Sequence, residues 1–285
     1  MKNFVLTAEQ KLEIKENGVL VLRGYIDVET WILPIQKAIY EIIGLVIKRH
    51  NLNIVRKPFS PCQFDDGYAD LIAIDRAFGG EIYDAVKSIP AFLRLISSEQ
   101  FEKLFLQLRE TELAGIGAGS YGIRIDNPND YLYRSHWHQE FIVQPQSLDG
   151  IVMWTPLISI TEEIGPVMVC LGSNRDGLRK VTKHGKYTDK KGAYKIGLVD
   201  EESVVAEYQC VAPLTEPGDL ILMDFLTIHQ SGINQSNRSR WSIQTRFFNF
   251  HEENGIRIGW KGSVTLGTNI ENIFNSYFLE EKSND

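Results

Sequence analysis

Hydrophobic positions recur with a helical period in the first part of the chain and in short strand-like runs after about residue 113. Trp31, Ile35, Ile39, Ile42, Ile43 and Val46 form one apolar stripe, the spacing that gathers side chains on a single helix face. Thr30 is placed to cap this helix, and the pattern carries it to about Arg49. Pro34 falls in its first turn, where amides lack intrahelical partners anyway. Ahead of it, Thr7 and Gln10 have capping-box spacing for a helix from Ala8 to about Glu16. Asn17-Gly18 then marks a turn into a buried strand, Val19–Arg23. Residues 50–80 lack a clear period and carry Pro58, Pro61, Gly67, Gly79 and Gly80, so they read as a long connection with some helix. Three helical pieces follow: Glu81–Ser88, Ala91–Ile96 and Glu99–Arg109. Pro90 starts the second and Ser98 is placed to cap the third.

Beyond Leu113 the runs shorten. Ala114–Asp126 mixes glycine and alanine with apolar residues, as in strands with bulges or close backbone approach. Tyr131–His138, Gly150–Ser159, Val167–Leu171, Ser203–Val211, Asp219–Met223, Thr227–Gln230 and Arg240–Phe250 read as strands. Asn269–Glu281 reads as a last helix. Such spacing predicts a sandwich or barrel rather than alternating βαβ units. The expected class is α+β in one domain spanning 1–285. A helical flank covers about 1–112, a β-rich core about 113–250 and a C-terminal extension 251–285.

Composition narrows the class. With 285 residues, 43% hydrophobic and 11% aromatic, the chain can bury a large core. A net charge of −7 argues against general nucleic-acid binding. Cys62, Cys170 and Cys210 show no metal-finger spacing and read as reduced thiols of a cytoplasmic protein. No apolar run approaches the ~20 residues of a membrane span. The N-terminus becomes charged too early for a signal peptide. One segment opposes the overall charge: Arg175–Gly197 carries eight basic residues against Asp176 and Asp189. It is either a solvated surface loop or a lid that attracts an anionic substrate.

The chemistry concentrates in two stretches. His138 and Glu140 are two residues apart, so in an extended segment they share a face. His229 lies far downstream after an apolar run, and Arg240 follows it by 11 positions. Two imidazoles and a carboxylate leave open metal positions, the facial triad suited to non-haem Fe(II) and O2. A nearby guanidinium can grip a carboxylate with two parallel hydrogen bonds.

These residues sit in a wider pattern. It begins with Trp137-His138-Gln139-Glu140 and Met153-Trp154-Thr155-Pro156-Leu157. Glu163-Ile164-Gly165-Pro166-Val167 and Cys170-Leu171-Gly172-Ser173-Asn174 follow. It closes with Gly218-Asp219 and with His229-Gln230-Ser231-Gly232-Ile233-Asn234 leading to Arg240. In order and spacing the chain resembles the phytanoyl-CoA dioxygenase family of Fe(II)/2-oxoglutarate oxygenases, over roughly Thr7 to Asn249. The resemblance implies a double-stranded β-helix (a jelly-roll, cupin-like barrel) holding Fe(II) through His138, Glu140 and His229. Arg240 would bind the distal carboxylate of 2-oxoglutarate, helped by Ser231, with Trp154 flanking the co-substrate. O2 would be the second co-substrate, succinate and CO2 would be released, and a small metabolite would be hydroxylated.

The chain departs from the family pattern at two positions. Glu140 stands where the family usually has Asp, so its backbone must sit one methylene farther from a metal. Asn174 replaces a histidine that is not a metal ligand. A carboxylate at 140 favours hydroxylation over halogenation, since halogenating relatives leave that position open for halide. Among the neighbours, a solvated or satisfied histidine is the default reading of His136, ahead of a substrate-facing or ligand-supporting group, and core packing is that of Trp154. Ser120, Arg124 and Asp126 sit at strand spacing before the ligand segment; an edge-strand charge pair is their default reading, and hydrogen bonding of one or two of them to the keto acid is the alternative. Arg246 shares the Arg240 face and is a second possible carboxylate partner. His50 and His251 are assigned to no site. Two other classes stay open: a non-oxidative jelly-roll that binds metal or ligand, and a metal-dependent isomerase or hydrolase on the same barrel.

Overall fold

The computed structural model describes residues 4–190 and 195–278. Helix α1 (Ala8–Asn17) opens with both halves of the predicted capping box, Gln10 N–H to Thr7 and Thr7 N–H to the Gln10 side chain. It ends on Gly18 at φ 74°, a left-handed turn that suits glycine. A Cβ there would stand 2.2 Å from the Thr227 hydroxyl. That hydroxyl donates to the Gly18 carbonyl, so the close approach ties the start of β1 (Val19–Leu22) to the segment that precedes His229.

The long amphipathic helix begins differently from its predicted cap. Asp27, not Thr30, accepts the first free amide, that of Thr30, and a π-type turn over Val28–Ile32 leads into α2 (Leu33–Arg49). Val28–Arg49 is long and apolar enough to cross a membrane by length and composition. Here Ile32, Ile35, Ile39, Ile43, Val46 and Ile47 are buried in the main core. Gln36 reaches through that core to the Leu157 carbonyl at 2.8 Å. Short helices follow: α3 (Tyr68–Ile74), α4 (Arg76–Ala85), α5 (Pro90–Ile96) and α6 (Glu99–Arg109).

Among the described residues the β-rich part is built on two larger antiparallel sheets, with a two-stranded ribbon in the basic segment. The larger is ordered β1, β9 (Leu220–Asp224), β4 (Gly150–Pro156), β11 (Arg240–Asn249) and β2 (Ala114–Ile116). Strand β3 (Gly122–Asp126) pairs the other end of β11. The smaller is ordered β10 (His229–Ser231), β5 (Val167–Cys170) and β8 (Cys210–Val211). Strand β11 shows why apolar alternation is weak in the sequence. Trp241 and Phe247 point out to the helices, with ring centroids 5.0 Å from Tyr68 and 5.9 Å from Phe105. Gln244 and Arg246 point into a cavity. Both faces are covered, so polarity cannot alternate cleanly.

Three sequence expectations fail locally. Tyr131–His138 is irregular, with one bridge between His138 and His229. Ser203–Val211 is not one strand: helix α7 (Glu201–Ala206) precedes β8, because Val204, Val205 and Tyr208 recur at helical spacing against the second core cluster. The C-terminal helix is only α9 (Glu271–Phe274) with a 3-10 turn to Tyr277, and residues 279–281 lie outside the described part. Helix α8 (Glu253–Ile258) was unread.

The basic segment is packed where it is described. A two-stranded ribbon, β6 (Val181–Thr182) with β7 (Gly197–Leu198), buries Val181, Tyr187, Ile196 and Leu198. Its charges meet acids from other elements: Arg175 with Glu16, Lys183 with Glu271, Lys186 with Glu201 and Arg179 with Glu207. These pairs neutralise much of the local excess that suggested an anion-attracting lid.

Candidate active site

The ligand-bearing segment is irregular, yet it is fixed at three successive residues, two through the backbone and the middle one through its side chain. His138 exchanges both backbone hydrogen bonds with His229 at 3.0 Å, and the Glu140 amide donates to the Phe225 carbonyl at 2.8 Å. Between them the Gln139 side chain is fully buried. Its amide nitrogen donates to the Gly177 and Leu226 carbonyls, both at 2.7 Å, and its oxygen accepts from the Arg179 amide at 2.8 Å. Gln139 thereby pins the segment to the basic insert on one side and to the turn before β10 on the other. Beneath it, Phe141 packs edge-on against Phe274 of α9 at 5.3 Å.

These constraints bring the predicted triad together. One ligand atom from each of His138, Glu140 and His229 lies within 4.8 Å of the others, and all three residues are buried. Glu140 Oε2 stands 3.4 Å from His229 Nε2 and 3.8 Å from His138 Nε2. The opposite ring nitrogens are committed elsewhere. Nδ1 of His138 lies 2.7 Å from the His136 carbonyl, and Nδ1 of His229 lies 2.9 Å from the Thr227 carbonyl. A carbonyl only accepts, so both Nδ1 atoms carry the proton and both Nε2 lone pairs face the centre.

Electrostatics favour a neutral His138 beside an ionised Glu140. Burial, reinforced by His229, lowers His138 to about 3. Burial alone would raise Glu140, but the Arg246 guanidinium outweighs it and holds the carboxyl well below its usual range. Arg246 Nε donates to Glu140 Oε1 at 2.8 Å. Glu140 Oε2 is buried with no hydrogen-bond partner among the described residues. An unpaired buried carboxylate oxygen between two imidazole nitrogens is what a metal cation would satisfy.

A cavity of about 160 Å³ opens beside the triad, between the two sheets. Val152, Trp154, Met223, Gln244 and Arg246 line it from the larger sheet, and Val167, His229 and Ser231 from the smaller. Trp154 and Ser231 therefore both face the cavity, and Trp154 is also part of the main core. Arg240 does not line this cavity. It is fully buried and donates to Asp126 Oδ2 at 2.8 Å and to the Gly165 carbonyl. The register explains this: Arg240 and Asp126 are directly opposed on β11 and β3, and a buried guanidinium requires a carboxylate. Asp126 also receives a two-atom grip from Arg124, which does line the cavity. Burial opposes ionisation of Asp126, yet the two arginines hold it at about 2.

His136 is buried rather than solvated. Its Nε2 lies 2.7 Å from the Ile196 carbonyl and its ring packs on Tyr187 at 4.6 Å. Burial lowers it to about 4. His50 pairs with Glu81 and His251 contacts Thr111, both away from the centre. The sequence reading missed Gln139 as an anchor and Arg246 as the Glu140 partner. Their signals were present, a polar residue between two ligands and a cation on the cavity-facing parity of β11, but neither names its partner.

Comparison with known proteins places this fold. It is shared with non-haem α-ketoglutarate-dependent enzymes. The carbocyclase SnoK of nogalamycin biosynthesis is 14% identical, with a TM-score of 0.56 over 87% of this chain and 86% of that one. EctD from S. alaskensis, solved with 2-oxoglutarate and 5-hydroxyectoine, is 18% identical, with a TM-score of 0.55 over 86% and 76%. EvdO2 from Micromonospora carbonacea var. aurantiaca, complexed with 2-oxoglutarate, is 17% identical, with a TM-score of 0.53 over 86% and 92%. No curated protein matches the sequence. Residues 130–242 match the phytanoyl-CoA dioxygenase (PhyH) family profile, a span that contains the whole triad and Arg240. The phytanoyl-CoA dioxygenase resemblance read from the sequence is thus shown for this part of the chain.

Proposed function

We propose that this protein is an Fe(II)- and 2-oxoglutarate-dependent dioxygenase that hydroxylates a small molecule on a double-stranded β-helix. The observation that carries the reading is the convergence of two Nε2 lone pairs on the unpartnered Oε2 of Glu140, deep between the sheets. That donor set fits a divalent iron with open positions. The metal, with 2-oxoglutarate and O2, supplies the oxidising power for C–H hydroxylation, with succinate and CO2 as by-products.

The chain's own part is to bind, orient and exclude water. His138, Glu140 and His229 hold the metal, and the His136 and Thr227 carbonyls keep both imidazoles in the ligating tautomer. Arg124, Asp126 and Arg240 form one charged cluster, of which Arg124 faces the cavity. In this reading the cluster receives the distal carboxylate of the keto acid. Arg124 makes the approach, Arg240 supports it through Asp126, and Ser231 and Trp154 line the way. Tyr83 and Tyr121, both exposed, also line the cavity and are available to a small substrate.

The commitment of Arg240 to Asp126 also favours a second reading, a metal-binding jelly roll without oxidative turnover. One experiment separates them. Anaerobic addition of Fe(II) and 2-oxoglutarate should give a metal-to-ligand charge-transfer band, and O2 should then drive release of succinate. Wild-type protein that binds Fe(II) but shows neither band nor succinate would rule out the dioxygenase. His138→Ala and His229→Ala should each lose the band, because each removes one of three protein ligands.

A further inference from the structure

A glutamate ligand has one more rotatable bond than an aspartate, so its carboxylate can turn either oxygen, or both, toward a metal. We propose that Arg246 is the positioning residue that removes this freedom. It holds Glu140 Oε1 and leaves Oε2 as the single ligating atom. The inference rests on the metal reading above and goes beyond it, because it assigns a role to a residue outside the triad.

The geometry is specific. Arg246 Nε donates to Oε1 at 2.8 Å, and its Nη1 donates to the Ser120 carbonyl at 3.2 Å, so the guanidinium is held at two points. Its backbone is equally fixed. Arg246 sits inside β11, registered against Val152 of β4, and its carbonyl accepts from the Gly117 amide at 3.0 Å. At the other end, the Glu140 backbone is tied to Phe225 and closes a 3-10 turn by accepting from the Val143 and Gln144 amides. With both backbones fixed, only the side-chain torsions of Glu140 remain free, and the Arg246 bond removes them. The result is an asymmetric carboxylate: Oε1 paired, and Oε2 unpartnered and facing both histidines. Arg246 therefore does for Glu140 what the His136 and Thr227 carbonyls do for the imidazoles.

The test is metal affinity, read without turnover. Co(II) is titrated into the full-length protein under anaerobic conditions, and its visible absorption reports both the dissociation constant and the coordination. The proteins compared are wild type, Arg246→Met, Arg246→Lys, Glu140→Ala and the double variant Arg246→Met/Glu140→Ala, with Tm measured for each. Arg246→Met should weaken Co(II) binding roughly 10- to 100-fold, the usual effect of losing an outer partner of a ligand, and should alter the absorption band. Arg246→Lys, which can still donate to Oε1, should recover part of the loss. In the Glu140→Ala background the same Met substitution should change nothing further, because the group it positions is gone. Arg246→Met affinity equal to wild type would overturn the proposal. So would an equal loss with and without Glu140, which would mean a general structural effect. Failure of the wild-type protein to bind Co(II) at all would overturn the metal reading itself.

Discussion

Asp126 is the residue on which two arginines depend. It is buried, receives Arg240 at one oxygen and is gripped by Arg124 at both. The folded carboxyl lies at about 2, below its ordinary value near 3.8. A depressed folded value means that the stabilisation is complete above about pH 4 and is lost as pH falls toward about 2. The wild-type Tm should therefore drop across that window, with about 2 kcal/mol attached to this group. Asp126→Asn should flatten the same window. At neutral pH it should cost roughly 3–5 kcal/mol, because it strands the Arg240 guanidinium in the interior. The function proposed for the cluster gives a separate prediction. Arg124→Ala should raise the 2-oxoglutarate concentration needed for half-maximal turnover by roughly tenfold or more, the loss expected for a charge-assisted contact of about 1.5–3 kcal/mol. Arg240→Ala should raise it too, with a larger fall in Tm than Arg124→Ala, because Arg240 is fully buried and Arg124 is not. A requirement unchanged in both variants would move the carboxylate site elsewhere in the cavity.

At the scale of elements, the pairing of β5 with β8 carries chemistry that its sequence did not suggest. Cys170 and Cys210 are directly opposed, with sulfurs 3.4 Å apart. The Leu171 amide bonds the Gln209 carbonyl, so the cysteine pair occupies a non-hydrogen-bonded position. Such pairs have Cα atoms roughly 4.5 Å apart, within the span a disulfide bridges. Cys210 is exposed and Cys170 buried. Diamide, which accepts the two thiol hydrogens, should therefore lower the titratable thiols from three to one. The mass should fall by about 2 Da, reversibly with dithiothreitol, and Cys210→Ser should abolish the change. In the sequence these two residues were merely scattered thiols, because a contact across 40 positions depends on strand register. The same limit explains the other local failures. The capping box of α1, the stripe of α2 and helix α6 were legible because they are encoded within a few residues. Segment 131–138 was misread because its extended look comes from a single bridge to His229. The metal-ligand set was legible because its motif and spacing survive in one dimension. The partners of Arg240 and Arg246 were not, since parity along β11 gives the face and only register gives the opposing residue.

For the whole molecule, the proposed metal site is also a joint. Its ligands come from β10 in the smaller sheet and from an irregular segment that hydrogen-bonds to Phe225, just beyond the end of β9 in the larger. Gln139 adds the basic insert to this joint, and Phe141 adds the C-terminal helix α9. A cation bound there would hold four separate parts of the chain at once. Its binding energy would then appear as global stability, because the unfolded chain does not bring the three ligands together. At 100 times its dissociation constant such a ligand contributes about 2.7 kcal/mol. In a protein of this size that is a Tm increase of about 5 °C. Anaerobic thermal unfolding with Fe(II), Co(II) or Mn(II), reversed by EDTA, measures it directly. The increase should vanish in His229→Ala. It should persist when 2-oxoglutarate is omitted, since the three protein ligands alone make the joint. A rise that required the keto acid would mean that the metal is held mainly by its co-substrate, and the ligand geometry around Glu140 would then be too weak to organise the centre.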